Sequence, residues 1–192
     1  MGTLFSTVYN RFLGKITDDL YLELTPEDTL KDLQNLLIDA IPGFEFPRVN
    51  LYNYTIEVGE IVSDEAGSDD FIIGPIWNDL EGELSDTSKV LVDRSSFNID
   101  LTSEEINILA ILMKQGWVQR QVTSIEHTRM KYSGPDFKMT SQANHLQKLL
   151  AVLSESQRES LHMQRLYKRR KLSKSGIYES NWAVLRDSSA LD

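Results

Sequence analysis

The chain has 192 residues, of which 41% are hydrophobic and 26% charged, and it contains no cysteine. This length and composition are those of one globular domain that can bury a core without disulfides. The lack of cysteine excludes disulfide frameworks and thiolate metal sites. No run approaches the about 18 apolar residues that a membrane-spanning helix needs, so the sequence predicts no membrane association.

Charge is divided unevenly along the chain, whose net charge is −9. Residues 1–110 carry 22 acidic and 6 basic side chains, a balance of −16, whereas residues 111–192 carry 7 acidic and 14 basic ones, a balance of +7. Such polarity can orient copies of a chain head to tail, or complement a partner of opposite charge. A solvated acidic loop combined with a basic tail would give the same counts, and both interpretations stay open at this point.

Two helices are predicted near the N-terminus. Apolar residues at helical spacing over residues 4–13 indicate the first, which Gly14 can end. Residues 25–28 are a strong start for the second, because they offer a threonine N-cap, a proline at the first helical position and acids in the first turn. The leucine-rich face that follows predicts a helix that ends at Pro42.

A small β-containing insertion is predicted after these helices. Residues 51–58 are rich in aromatic and β-branched side chains, as strands are. Shorter strands are expected at 71–73, 90–92 and 97–99, separated by acidic, turn-like segments.

Two long helices are predicted in the second half of the chain. Thr102 and Glu105 have the spacing of a capping box, in which a hydroxyl and a carboxylate each accept a hydrogen bond from an unpaired backbone N–H. Apolar residues follow with helical period to about Met130, and a second helix is expected from Thr140 or the next residue. Trp117 lies on the apolar face of the first helix and is expected to be buried between the two.

These elements predict an α+β fold, mainly a bundle of long helices with a small β insertion and an extended C-terminal arm. The segments are the N-terminal helices at 1–47, the β-containing insertion at 48–100, the long-helix body at 101–170 and the C-terminal arm at 171–192, all in one structural domain.

The sequence shows no catalytic or metal-binding signature. The three histidines, His127, His145 and His162, lack metal-ligand spacing, and no phosphate-binding glycine loop or nucleophile motif is present. The acids of residues 63–70 lack the spacing of a calcium loop. The chain is therefore interpreted as a non-enzyme without metal or cofactor. A small metal-dependent enzyme, with an acidic site between residues 64 and 86, is kept as an alternative.

The C-terminal end is the most informative part of the sequence. Six basic residues and no acid lie between residues 165 and 174, and sparse large apolar residues follow them. This pattern is typical of an arm that docks on an acidic protein surface, with aromatic residues as anchors and bases that steer the approach. The alternative is a nucleic-acid-binding regulatory protein, in which the bases neutralise phosphates and Tyr167 stacks on a base. The predicted docking residues are Arg165, Tyr167, Lys168, Arg169, Arg170, Lys171, Lys174, Ile177, Tyr178, Trp182 and Leu185.

The layout resembles the head-to-tail connector proteins, also called adaptor or neck proteins, of tailed bacteriophages. The resemblance covers roughly two-thirds of the chain and consists of layout features, without a catalytic motif. The features are the opening helix at 4–13 with Asp18–Tyr21 after it, the capped helix at 25–41 with Phe46-Pro47-Arg48 at its exit, the long helix from Thr102, the break at 132–137 and the C-terminal arm.

This resemblance implies a structural protein of the virion neck that is assembled in the host cytoplasm and forms a ring, often of twelve copies. The arm at 165–185 would bind the portal protein, and the β region would contact the downstream neck or tail protein. DNA would pass through the lumen without specific contacts, and an acidic N-terminal half would suit that lumen because like charges repel phosphate. The β insertion is larger than in the simplest adaptors.

Overall fold

The computed structural model describes residues 2–16, 21, 24–62, 67, 70–75, 89–131, 140–172 and 178–180. The fold is mixed α+β, as predicted. Its helices are α1 (Phe5–Leu13), α2 (Pro26–Ala40), α3 (Ser103–Lys131) and α4 (Thr140–Arg169). Its strands are β1 (Tyr54–Thr55), β2 (Val58–Val62), β3 (Phe71–Pro75), β4 (Lys89–Asp93), β5 (Ser96–Phe97), β6 (Arg170–Leu172) and β7 (Tyr178–Ser180).

Both predicted N-terminal helices are confirmed. The Thr25 hydroxyl accepts a hydrogen bond of 3.2 Å from the backbone N–H of Asp28, so the N-cap satisfies one of the unpaired donors at the start of α2. Pro26 occupies the first helical position, where it removes no hydrogen bond. The helix ends in a short 3₁₀ turn over Ile41–Gly43, which places the end close to the predicted Pro42.

The β region is confirmed in outline and corrected at residues 51–58. The structure divides this segment between two sheets: β1 pairs with β5, whereas β2 belongs to an antiparallel sheet of order β2-β4-β3. Strand β1 begins later than predicted because the Asn50 side-chain carbonyl accepts a hydrogen bond of 3.1 Å from Tyr52 N, which turns the chain there.

The two long helices are confirmed near their predicted ends, and the capping box is present. Thr102 N donates to Glu105 Oε2 at 2.7 Å, and Glu105 N donates to Thr102 Oγ1 at 3.3 Å. Helix α3 contains 29 residues and α4 contains 30, so each is on the order of 40 Å long at a rise of 1.5 Å per residue.

The main hydrophobic core lies where α1, α2, the sheets and the start of α3 meet. Its largest members are aromatic, and the rings of Phe5 and Phe97 lie 4.7 Å apart between centroids. A second, smaller cluster joins α3 and α4 farther along and consists of Val118, Val122, Leu146 and Leu153.

Trp117 connects the two clusters, because its side chain packs against both. Trp117 lies between the long helices as expected. Its expected full burial is wrong, since the residue is only half-buried. Its indole Nε1 is shielded from solvent and has no hydrogen-bond partner among the described residues.

Within the described ranges, no helix is long and apolar enough to cross a membrane.

Candidate docking surface

The predicted basic residues gather at the C-terminal end of α4. Arg165, Lys168 and Arg169 lie in its last turns, Arg170 begins β6, and all four are exposed. Cations are favoured at this end of a helix because the macrodipole places negative potential there. We call these four residues the basic cluster.

Of the predicted C-terminal arm at 171–192, the structure describes residues 171, 172 and 178–180, which lie in strands β6 and β7. Strands β6 and β7 pair antiparallel, with Lys171 opposite Glu179 and Leu172 opposite Tyr178. We call this strand pair the β6–β7 hairpin. The other predicted docking residues, Lys174, Ile177, Trp182 and Leu185, lie outside the described residues.

Tyr167 does not belong to the docking surface, and its predicted role is wrong. Its side chain is 1% exposed and its ring packs 5.4 Å from that of Phe44, so neither ring face is available to a partner or a nucleic-acid base. Its hydroxyl donates a hydrogen bond to Glu105 Oε1 at the start of α3 and accepts one from Arg48 N. Tyr167 instead fixes the end of α4 against the start of α3.

Helical periodicity could have revealed this burial. The buried residues of the last five turns of α4 are Leu153, Ser156, Ser160, Gln164 and Tyr167, each three or four positions after the one before. That spacing marks one face of a helix. The polar residues within this face obscured the pattern in the sequence.

An exit loop at residues 43–48, which follows α2, forms the other side of the site and was missed as a docking element. Gln164 holds this loop: its Oε1 accepts from Glu45 N at 2.8 Å, and its Nε2 donates to Gly43 O at 3.2 Å. Phe46 is 43% exposed, and the Lys168 ammonium lies 4.0 Å from its ring centroid. More than 115 residues separate the partners in the chain, so no local sequence signal joins them.

Arg48 completes the contacts between the exit loop and α4. Its guanidinium lies 4.1 Å above the Tyr167 ring, and its Nη2 donates to the carbonyl oxygens of Tyr167 and Arg170. In the sequence, Phe46-Pro47-Arg48 was noted only as a feature of the family resemblance. In the structure, this segment lies beside the basic cluster, since Phe46 contacts Lys168 and Arg48 contacts Arg170.

The proposed acidic metal site can be followed only in part, because most of residues 64–86 lie outside the described ranges. Asp70 is described, and it forms an ion pair with Arg94 at 2.7 Å. Hydrogen bonding from Arg94 and from Gly67 N lowers the pKa of Asp70 to about 2. Among the described residues, no group of three or more histidine or acidic side chains could hold a metal ion.

Among the described tyrosines, Tyr9 and Tyr167 are expected to resist ionisation until the protein unfolds. Burial raises the pKa of Tyr9, with the nearby Asp93 charge adding to the effect, and burial raises the pKa of Tyr167, with the bond to Glu105 adding to it. A tyrosine whose pKa is raised in the folded protein stabilises the fold fully at any pH below 10.0, the ordinary tyrosine pKa. This stabilisation is lost progressively as the pH rises above that value.

The free energy of unfolding should therefore fall by about 1.4 kcal/mol per pH unit above pH 10 for each of these tyrosines. Urea unfolding, together with tyrosinate absorbance against pH, measures both parts of this prediction. Tyr52→Phe, at a residue that is 66% exposed, serves as the control and should leave the slope unchanged. Full tyrosine ionisation near pH 10 in the folded protein would contradict the prediction.

The assembled site can bind an anionic surface, because it presents several exposed cations and one exposed aromatic ring on a frame held by buried hydrogen bonds. Comparison of the chain with protein-family models, curated protein sequences and solved structures gives no match.

Proposed function

We propose that the chain is a structural protein of the neck of a tailed bacteriophage, where a ring, often of twelve copies, connects the capsid portal to the tail and lets DNA pass. The observation that carries this proposal is the basic cluster, which lies where the C-terminal segment leaves the helical body. The segment 171–192, acting as an arm, would dock on an acidic face of the portal protein, and the β region would contact the downstream neck or tail protein.

The antiparallel long helices support this proposal. The Tyr167–Glu105 hydrogen bond places the end of α4 beside the start of α3, close to the main core. The basic cluster is therefore fixed close to the main hydrophobic core. A docking element held in this way transmits its position to the rest of a ring, as a connector must.

The division of charge also supports an assembly of this type. The first half of the chain is acidic and the second half basic. Such a division favours ordered association of copies, and an acidic half would suit a lumen that repels DNA.

Nucleic-acid binding by the basic cluster is the second candidate function. Exposed cations at the end of α4 suit phosphate contacts, but the buried Tyr167 removes the aromatic residue that was expected to stack on a base. The need for a portal protein separates the two functions, because binding to DNA would occur without it and would weaken steeply with salt.

The direct test is a protein that ends at Leu172, mixed with the portal protein encoded in the same genome. We expect a folded subunit that fails to join the portal, as seen by light scattering or native mass spectrometry. Trp182→Ala in the full chain should weaken attachment by at least about 2 kcal/mol, as expected for an aromatic anchor.

The matched control is Tyr52→Ala, which removes an exposed aromatic residue from the β region. It should leave portal attachment unchanged. Attachment of the shortened protein with normal affinity would show that the arm does not dock. Tight DNA binding in the absence of any portal interaction would favour the second candidate.

A further inference from the structure

The end of α4 is closed by a residue from a distant part of the chain. The last carbonyl groups of a helix have no partner within it and need donors from elsewhere. At α4 the Arg48 guanidinium supplies them, since Nη2 donates to the carbonyl oxygens of Tyr167 and Arg170. The first of these carbonyls lies in the last turn, and the second lies in the first residue of β6.

Arg48 is itself held in a defined place. Its backbone N–H donates to the Tyr167 hydroxyl at 3.3 Å, and its guanidinium stacks on the same ring. The hydroxyl in turn donates to the buried Glu105. A continuous series of contacts thus runs from the start of α3, through Tyr167 and Arg48, to the backbone of β6.

The chemistry of this contact requires arginine. A guanidinium is planar, stacks on an aromatic face and carries several donors in a fixed geometry, whereas a lysine ammonium is a compact charge on a flexible stem. All four cations of the basic cluster lie within three residues of Tyr167, so an additional positive charge here is unfavourable unless specific bonds hold it. The hydrogen bonds and the ring contact provide that compensation.

We propose that Arg48 is a positioning residue that fixes the direction in which the C-terminal segment leaves α4, and that it thereby presents the docking arm to its partner. The second half of this inference rests on the proposed function, whereas the first half concerns the free subunit alone. Without Arg48, the carbonyls of Tyr167 and Arg170 would lose this donor, and the β6–β7 hairpin would lose this contact with the exit loop.

Hydrogen exchange of the full-length free protein tests the first half. In Arg48→Ala, the amides of 170–172 and 178–180 should exchange at least about tenfold faster, because local opening exposes them without global unfolding. In Arg48→Lys, these amides should exchange at rates between those of Arg48→Ala and those of the wild type. The amides of 108–111 in the core of α3 provide the internal reference and should not change.

The matched control is Arg94→Ala, which removes an exposed arginine that is paired with Asp70 on the three-stranded sheet. It should leave the hairpin amides as protected as in the wild type. Unchanged hairpin exchange in Arg48→Ala would overturn the inference. Equal acceleration at the hairpin and at 108–111 would also overturn it, because the residue would then support the whole fold and not the hairpin in particular.

Binding to the portal protein tests the second half. We expect Arg48→Ala to bind about tenfold more weakly than the wild type, with partial recovery in Arg48→Lys. Faster hairpin exchange with unchanged portal affinity would overturn the docking role and leave the contact purely structural. If the wild type itself does not bind the portal, the proposed function fails, and the exchange experiment still decides whether Arg48 fixes the hairpin.

Discussion

Replacing Glu105 with alanine should lower the free energy of unfolding by about 3–4 kcal/mol, since it removes a helix cap and leaves buried polar groups unpaired. Glu105 is 2% exposed. Its Oε2 accepts from Thr102 N at 2.7 Å and from the Thr102 hydroxyl at 2.8 Å, while its Oε1 accepts from the Tyr167 hydroxyl. One side chain therefore closes the start of α3 and holds the end of α4.

Urea unfolding measures this effect, and Glu104→Ala is the control. Glu104 lies in the same first turn and carries the same charge, but it is only half-buried. Its removal should cost less than about 1 kcal/mol, which is the range expected for a charge near a helix N-terminus. Equal losses for the two variants would show that charge near the helix start matters and that the contact with Tyr167 does not.

The parts of the fold that the sequence predicted correctly depend on neighbouring residues. The caps at Thr25 and Thr102 are local signals, because the donor and acceptor of each lie three positions apart. Helical spacing was sufficient for α1, whose buried residues Phe5, Val8, Tyr9 and Phe12 recur at positions i, i+3, i+4 and i+7. In these cases the local preference and the tertiary structure agree, so patterns among neighbouring residues were sufficient to predict the helices and their caps.

The errors arise where distant segments meet. Tyr167 was assigned to the arm because basic residues surround it in the sequence, although its ring belongs to a buried face. Residues 51–58 read as one strand, but pairing with β4 and β5 divides them. Strand preference depends on neighbouring strands more than helix preference depends on its surroundings, so single-sequence patterns locate strands less well.

The candidate site shows the same division. The exposed bases of α4 were predicted because charge is visible in the sequence. Arg48 and Gln164 were not, because their role consists of contacts with a segment about 120 residues away. Connection of a portal to a tail remains a prediction that rests on the layout, on the charge division and on the position of the basic cluster.

Phe5→Ala should be as damaging as the loss of Glu105, with an expected cost of about 4 kcal/mol for truncating a fully buried phenylalanine. Phe5 is 0% exposed. Its ring centroid lies 4.7 Å from that of Phe97 and 5.7 Å from that of Tyr54. One side chain of α1 therefore contacts both strands of the two-stranded sheet formed by β1 and β5.

This contact matters because each strand of that sheet contains only two residues, and such a pair is not stable alone in water. The loss should therefore appear first at β1 and β5. Faster exchange is expected at the amides of residue 5 and of Phe97, which in the wild type donate to Ser95 O at 2.8 Å and to Thr3 O at 2.9 Å.

Urea unfolding provides the energy, and Phe46→Ala provides the control, because Phe46 is 43% exposed in the exit loop and its removal leaves no cavity in the core. The control should cost less than about 1 kcal/mol, the scale of an exposed cation–π contact. Phe5→Leu should recover part of the loss by refilling the cavity. A cost below about 1 kcal/mol for Phe5→Ala, or unchanged exchange at Phe97, would show that α1 does not hold the two-stranded sheet.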